Sequence, residues 1–344
     1  MPTRVAGPII IAVLLAGCTR VATTPAPSVP NSPGPTPEPI SLAPSGSVPA
    51  IAHEALDAGF VLGAAAIRVE DVTHLWAVAF STEEGVPPEL RHLTSADGET
   101  WVADEQPVQL DARVLGVNEI GPVPSSVLVD DDGTWLLYGG ARLAGSDEPI
   151  IWRATAPGPD GPWAMHPEPV LTPSADGWDS AIADHPSVLR TNDGYLMAYG
   201  GASGARPNRN RIGVARSPDG IAWTRESATL PPEADDAEAL GPAACGIDAR
   251  TMFEPELVHL RDGLRLAFGA MVGDDMFIGA ADSLDGRTWA CAAEGPLLEP
   301  SDFGGPGTGL HSYVTVRDDP AGTILVEVLA DGASDLWLVR PDGG

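Results

Sequence analysis

Three short segments gather the residue types that chemistry requires. In GWDSAIADHPSV, Trp178, Asp179, Asp184 and His185 lead up to Pro186; in GIDARTMFEPEL, Asp248, Arg250, Glu254 and Glu256 surround Pro255; GTGLHSYV holds His311 and Tyr313. Two carboxyl groups facing each other across a gap can cleave a glycosidic bond, one protonated to help the leaving oxygen and one ionised as base or nucleophile. Glu254, Asp184 and Asp179 are the candidate catalytic acids. His185, Arg250, Glu256, His311 and Tyr313 are candidate substrate contacts, and Trp178 offers a ring on which the apolar face of a sugar can stack. Structural roles stand beside these: Asp179 and Asp184 can cap turns by accepting backbone N–H groups, and His311 can be a satisfied interior histidine. His74, His92, His166 and His259 have no ligand spacing, so no zinc site is expected.

Such widely separated acids meet only if a repeated frame brings them together. Asp-Gly in a short loop with apolar flanks marks a hairpin, because Gly takes positive φ without strain and the Asp carboxylate accepts nearby N–H groups. It recurs in SADGETW, PDGPW, SPDGIAW and SLDGRTW, where Asp97, Asp160, Asp219 and Asp285 follow at intervals of 63, 59 and 66 residues. A second series interleaves with it: SSVLVDDDGTWLLYGG from Ser125, PSVLRTNDGYLMAYGG from Pro186 and PELVHLRDGLRLAFGA from Pro255. Each unit is therefore two successive hairpins, a four-stranded meander repeating about every 60 residues, which is a propeller blade. The spacing predicts an all-β fold, a five-bladed β-propeller of four-stranded antiparallel blades over residues 51–344. The last unit stops short of its fourth strand, and residues 51–59 are expected to supply it and close the ring. First strands then line a central channel, and the residues just before them face the open side where ligands bind. There Leu62 and Val123 stand in blades one and two where Asp184 stands in blade three.

The chain opens MPTRVAGPIIIAVLLAGC, an apolar run too short for a membrane span and suited to a secretory signal. Leu15-Ala16-Gly17-Cys18 looks like a lipoprotein cleavage box, so residues 1–18 are expected to be a signal peptide and Cys18 the lipidated first residue of the mature protein. Residues 19–50, rich in Pro, Ser and Thr, read as an extended spacer. The chain is then extracytoplasmic and held to the membrane by its acyl chains. Net charge is −29 and Lys is absent, which argues against nucleic acid and anionic polymers as partners. Cys245 and Cys291 remain, either as a disulfide, the favoured reading in an exported protein, or as two buried thiols. A monomer is expected.

The Asp-Gly turns resemble the Asp-box of sialidases and other propellers, a motif of fold rather than activity. GWDSAIADHPSVLRTNDGYLMAYGG with RIGVARSPDGIAWTRE, and MFEPELVHLRDGLRLAFGA after it, are similar to blades of the five-bladed furanosidase superfamily of arabinanases, xylosidases, invertases and related glycosidases. The resemblance implies that Glu254 is the general acid, that Asp184 orients it, and that Asp179 belongs to a recurring Trp-Asp-Ser segment near the site. It implies that His311 stands over the channel, where some members hold a calcium ion through water, and that a neutral glycan is the partner. The base that these enzymes carry on their first blade has no clear equivalent. Two functions follow as expectations: a glycosidase, or a propeller that binds a glycan or a protein without turnover.

Overall fold

A computed structural model of the chain describes residues 42–83, 86–116, 122–143, 149–204, 209–227, 245, 247, 249, 251–305 and 307–341. Cys18 and Arg250 lie outside them. The strands fall into five meanders. Blade one is β2 (Phe60–Val69), β3 (Val72–Phe80), β4 (Glu89–Ser95) and β5 (Val102–Ala103). Blade two is β6 (Val123–Val129), β7 (Trp135–Arg142), β8 (Pro149–Ala156) and β9 (Ala164–Met165). Blade three is β10 (Ile182–Thr191), β11 (Gly194–Ala202), β12 (Arg211–Ser217) and β13 (Thr224–Glu226). Blade four is β14 (Thr251–Leu260), β15 (Gly263–Val272), β16 (Asp275–Ser283) and β17 (Trp289–Cys291). Blade five is β18 (Gly309–Arg317), β19 (Ile324–Ala330) and β20 (Ala333–Pro341), with β1 (Leu42–Pro44) as its outer strand.

The closing strand is thus drawn from earlier in the chain than the sequence suggests. Leu42 to Pro44 pair with Pro341 to Val339, while Ile51 makes only an isolated bridge to Leu336 and His53–Leu56 form a 3-10 turn. The reason is geometric: β20 runs on to Pro341, so its far end needs a partner beyond the reach of residues 51–59. Blades two, three and four are separate four-stranded antiparallel sheets. Blades five and one merge into one larger sheet, because Val316 and Arg317 of β18 pair in parallel with Ala66 and Ile67 of β2.

Hydrophobic burial closes the ring. Five apolar clusters each lie between two neighbouring blades, in the order one-two, two-three, three-four, four-five and five-one. Trp76 and Trp152 fill the first, Tyr138 and Tyr199 the second, and Trp289 and Phe268 the third, all fully buried. Each such ring buries about 150–250 Å², which makes the blade interfaces the main stabilising layer. Cys245 and Cys291 form a disulfide that ties the approach to β14 to the last strand of blade four.

Three of the four Asp-Gly turns are latched alike. Asp219 Oδ1 accepts the N–H groups of Ile221 and Ala222, each at 2.9 Å, and the hydroxyl of Ser217; Asp97 and Asp285 repeat the pattern. The N–H groups of Ala222 and Ile221 hold the Asp219 carboxyl below the usual range. Asp219→Ala is expected to cost about 1 kcal/mol, as loss of a helix N-cap does, read as a lower denaturation midpoint with the fold retained. In the turn after β8, Gly158 replaces the Ser and Pro162 removes an N–H, leaving Asp160 without this latch.

Candidate functional site

All five inner strands carry one extra residue at the same level. The ladder register shifts between Leu62 and Ala64, Pro124 and Ser126, Asp184 and Ser187, Phe253 and Glu256, and Leu310 and Ser312. These are β-bulges, which re-aim side chains and recur beside functional sites. They align Gly63, Ser125, His185, Glu254 and His311 around the channel, with Gly63, His185 and Glu254 at φ of 60°, 47° and 47°. A left-handed backbone at two non-glycine residues is uncommon and persists only where the surroundings hold it.

That ring corrects the sequence alignment of the two proline segments. The residue that stands level with Glu254 is His185, since each precedes a proline at the bulge, and Asp184 is level with Phe253. In blade two the equivalent of Asp184 is Pro124, one residue on from Val123.

His185 Nε2 lies 2.9 Å from Glu254 Oε1, and His185 Nδ1 lies 3.6 Å from Asp184 Oδ2. Asp184 Oδ1 accepts the backbone N–H of His185 at 2.8 Å. From the other side, His311 Nδ1 stands 3.7 Å from Glu254 Oε1 and 3.4 Å from Glu327 Oε2. One imidazole therefore sits between Asp184 and Glu254, and the other between Glu254 and Glu327. Glu327 was not singled out from the sequence; its only mark there is a lone acid in the apolar run ILVEVLA of β19.

Electrostatics follows from this alternation. Burial opposes charge on His185, but Asp184, Glu254 and Glu327 outweigh it and push its pKa up to about 10. His311 behaves likewise: burial opposes its charge, Glu254 and Glu327 favour it, and it rises to about 9. Burial works against ionised Glu254 too, yet His185 and His311 hold it below the usual carboxylate range. Asp184 goes the other way, raised chiefly by burial with Glu254 adding to it and His185 opposing. A general acid needs a raised pKa at neutral pH, so it is Asp184, not Glu254, whose surroundings favour a proton.

The void between these groups is lined by Ser125, His185, Glu254, Glu256, Ser312 and Tyr313 and has about 10 Å³ of free room, about the space of one water. Glu254 Oε1 and Ser125 Oγ are buried with no aligned hydrogen-bond donor or acceptor. They suit a bridging water. A calcium ion takes six to eight oxygens at about 2.3–2.6 Å; with Glu256 and Ser312 already hydrogen-bonded, two imidazole rings against Glu254 and room for about one water, the described residues do not fit direct coordination of that ion.

The remaining candidates take other places. Asp179 is buried and accepts from Arg225 Nε at 2.7 Å, Tyr199 OH at 2.9 Å and Ser174 Oγ at 2.5 Å, an internal anchor of blade three set away from the ring. Trp178 packs on Tyr199, with ring centroids 5.5 Å apart, and over Gly201 and Gly213, so its ring fills the blade. Glu256 accepts hydrogen bonds from Ser187 Oγ at 2.7 Å and from the Thr315 hydroxyl, tying blades three, four and five together. Tyr313 lines the void, and burial pushes its phenol up.

No family profile matches the chain, and no curated protein does. Among solved structures, a GH130 structure reported with glycoside hydrolases that target β-1,2 mannosidic linkages in Candida mannan aligns at 15% identity and a TM-score of 0.62, over 90% of this chain and 95% of its own. A thermostable family-43 glycoside hydrolase aligns at 15% identity and 0.62, over 88% and 96%. A glycosyl hydrolase from Bacteroides ovatus aligns at 14% and 0.61, over 89% and 95%. At such identities the likeness is one of fold: the chain is built as the five-bladed, furanosidase-like propeller that these glycoside hydrolases share.

Proposed function

We propose that the chain is a glycosidase-like propeller, anchored outside the membrane by lipid on Cys18, that binds a neutral glycan at the channel mouth without hydrolysing it. The observation that carries this is the placement of His185: hydrolysis needs open space between two carboxyls, and here an imidazole stands between Asp184 and Glu254. The two blades that could add a base present Gly63 and Ser125 at the ring instead. What remains is a row of alternating carboxyl and imidazole groups, the donors and acceptors that sugar hydroxyls pair with. The acidic surface, with a net charge of −29, favours a neutral glycan over an anionic one. The fold is that of glycoside hydrolases, which supports a glycan as ligand.

One observation favours a second reading. Asp184 is held above and Glu254 below the usual carboxylate range, the division that separates a catalytic acid from a base. A single experiment separates the two: the mature protein is tested for binding to neutral mannosides and furanosides, and for hydrolysis of their aryl glycosides, with D184N and E254Q alongside. Binding without turnover, weakened at least about tenfold in D184N, is the expected result, since a lost hydrogen bond to a buried polar group is worth about 1.5 kcal/mol or more. Turnover abolished by both substitutions would establish hydrolysis and remove the binding-only reading. The anchor is checked by fractionation, with C18A moving the protein from membrane to soluble fractions.

A further inference from the structure

A second polar cluster lies away from the channel, where blade one meets blade two. His92 of β4 is buried, its ring stacked on Trp76 with centroids 4.7 Å apart and planes 26° from parallel. His92 Nε2 lies 3.1 Å from His74 Nδ1. On its other side, His92 Nδ1 lies 2.8 Å from Asp104 Oδ2 and 3.9 Å from Asp160 Oδ1. Asp104 is fixed by its backbone, whose N–H donates to the carbonyl of His92 at 2.9 Å while its carbonyl accepts from Arg91 Nη2 at 2.9 Å. Asp160 comes from the next blade and, of the four outer-hairpin residues Asp97, Asp160, Asp219 and Asp285, is the one whose carboxylate is not latched to its own backbone.

We propose that His92 Nδ1, Asp104 and Asp160 form a binding site for a divalent transition cation of the zinc class, clamping blade one to blade two. The three donor atoms lie within 4.8 Å of one another. Ligands about 2.0–2.2 Å from a tetrahedral zinc stand roughly 3.3 Å apart, so the 2.8 and 3.9 Å separations bracket what the ion needs. Asp160, with its side chain 85% exposed, can make the small adjustment. Without an ion, Nδ1–H of His92 donates to the Asp104 carboxylate; an ion would displace that proton, and the Nε2–H of the other tautomer would then find an acceptor in His74 Nδ1, 3.1 Å away, as the outer nitrogen of a metal-bound histidine needs. A stack on Trp76 holds the imidazole plane. Replacement of the latch residues in this turn gains a meaning, because Gly158 and Pro162 release the carboxylate that the other turns consume. Water takes the fourth position.

Sequence spacing hides the site, as His92 and Asp104 come from an outer hairpin and Asp160 from another blade.

The test is metal binding by the full chain, using Zn2+ by calorimetry and Co2+ by visible absorption. One ion per chain is expected, with the strong d–d bands of a four-coordinate Co2+ and a melting temperature that rises with added Zn2+. D104N and D160N should each weaken binding at least about tenfold. H74F, which keeps a ring beside Trp135 but removes the acceptor, should weaken it about tenfold, as loss of an outer-shell partner does. Because Asp160 is exposed and bonded to nothing else, D160N should melt like the wild type when no metal is present. A second cluster, His53 with Glu54 and Asp335, serves as the control, since Asp335 Oδ1 is already engaged by the backbone N–H of His53. Binding that survives D104N and D160N but is lost in H53Q overturns the proposal, and so does an absence of Zn2+ binding at millimolar concentration.

Discussion

Replacing Glu254 with Gln is expected to destabilise the protein by about 3 kcal/mol near pH 6 and by less than about 1 kcal/mol above pH 10. Glu254 is the buried, shared counter-charge of two partly exposed imidazolium groups, and removing one partner of a buried ion pair typically costs about 3–5 kcal/mol. Imidazole, unlike guanidinium, can shed its proton, which keeps the loss at the lower end of that range. The sign of the pH dependence follows from the two histidines. Their folded pKa values, raised to about 10 and about 9, lie above the unfolded value near 6.5. Stability from them is complete below about pH 6.5 and is lost as pH rises through 9 and 10. In E254Q both lose much of this elevation, so the wild type and the variant differ most at low pH and converge in alkali. Glu254 itself, held low, contributes stability that disappears only in acid. Asp184, held high, contributes in the opposite sense, and does so less in E254Q because the Glu254 charge is part of what raises it. Urea denaturation midpoints at pH 6 and above pH 10 measure the effect. A difference that is the same at both values would mean that the imidazoles are neutral in the folded protein and would remove the charge alternation on which the site is built.

The blade frame was legible because its signal is local and repeated. An Asp-Gly turn dictates its own hairpin, and the recurrence of Asp97, Asp160, Asp219 and Asp285 at near-equal intervals leaves a ring of meanders as the economical solution. Closure was read in kind and not in place, since three residues embedded in a Pro-rich stretch, Leu42 to Pro44, give no pattern that distinguishes a strand from a spacer. The site was legible as a set of residues and not as an arrangement. Glu254, Asp184, His185 and His311 do meet, but their roles depend on bulges, and a bulge is a feature of backbone pairing that single-sequence reading does not reveal. With one extra residue in each inner strand, His185 rather than Asp184 comes level with Glu254, and the expected acid becomes the clamped carboxylate. Asp179 shows the converse: its Trp-Asp-Ser context suggested chemistry, and Arg225, forty-six positions later in the chain, claims the carboxylate instead.

Placing an acid on blade one, with Gly63→Asp, is expected to cost about 3 kcal/mol or more and to confer no glycosidase activity. The bulge position of blade one is the natural place for the missing carboxylate, because it is level with Ser125, His185, Glu254 and His311 around the void. Backbone conformation is not the obstacle; a φ of 60° is one that Asp adopts with modest strain. Space is. A Cβ on Gly63 would lie 2.3 Å from Val123 Cγ1 and 2.8 Å from the carbonyl oxygen of Pro124. The valine methyl can rotate away, but the carbonyl belongs to β6 and moves only with its blade, so overpacking of about 1–3 kcal/mol is unavoidable. A carboxylate forced into this site would also be desolvated beside an oxygen that cannot donate to it, adding a few kcal/mol more. Gly63→Ala meets the same clash without the charge, and its smaller loss, about 1–3 kcal/mol, separates the steric part from the electrostatic part. Denaturation midpoints of both variants, with aryl glycoside assays on each, provide the measurement. If G63D folds as stably as the wild type and turns over substrate, the channel has room for a catalytic pair and the absence of a first-blade base is a matter of one substitution. If it unfolds as expected, Val123 and Pro124 have closed that position, and blade two rather than blade one is where the hydrolytic geometry is blocked.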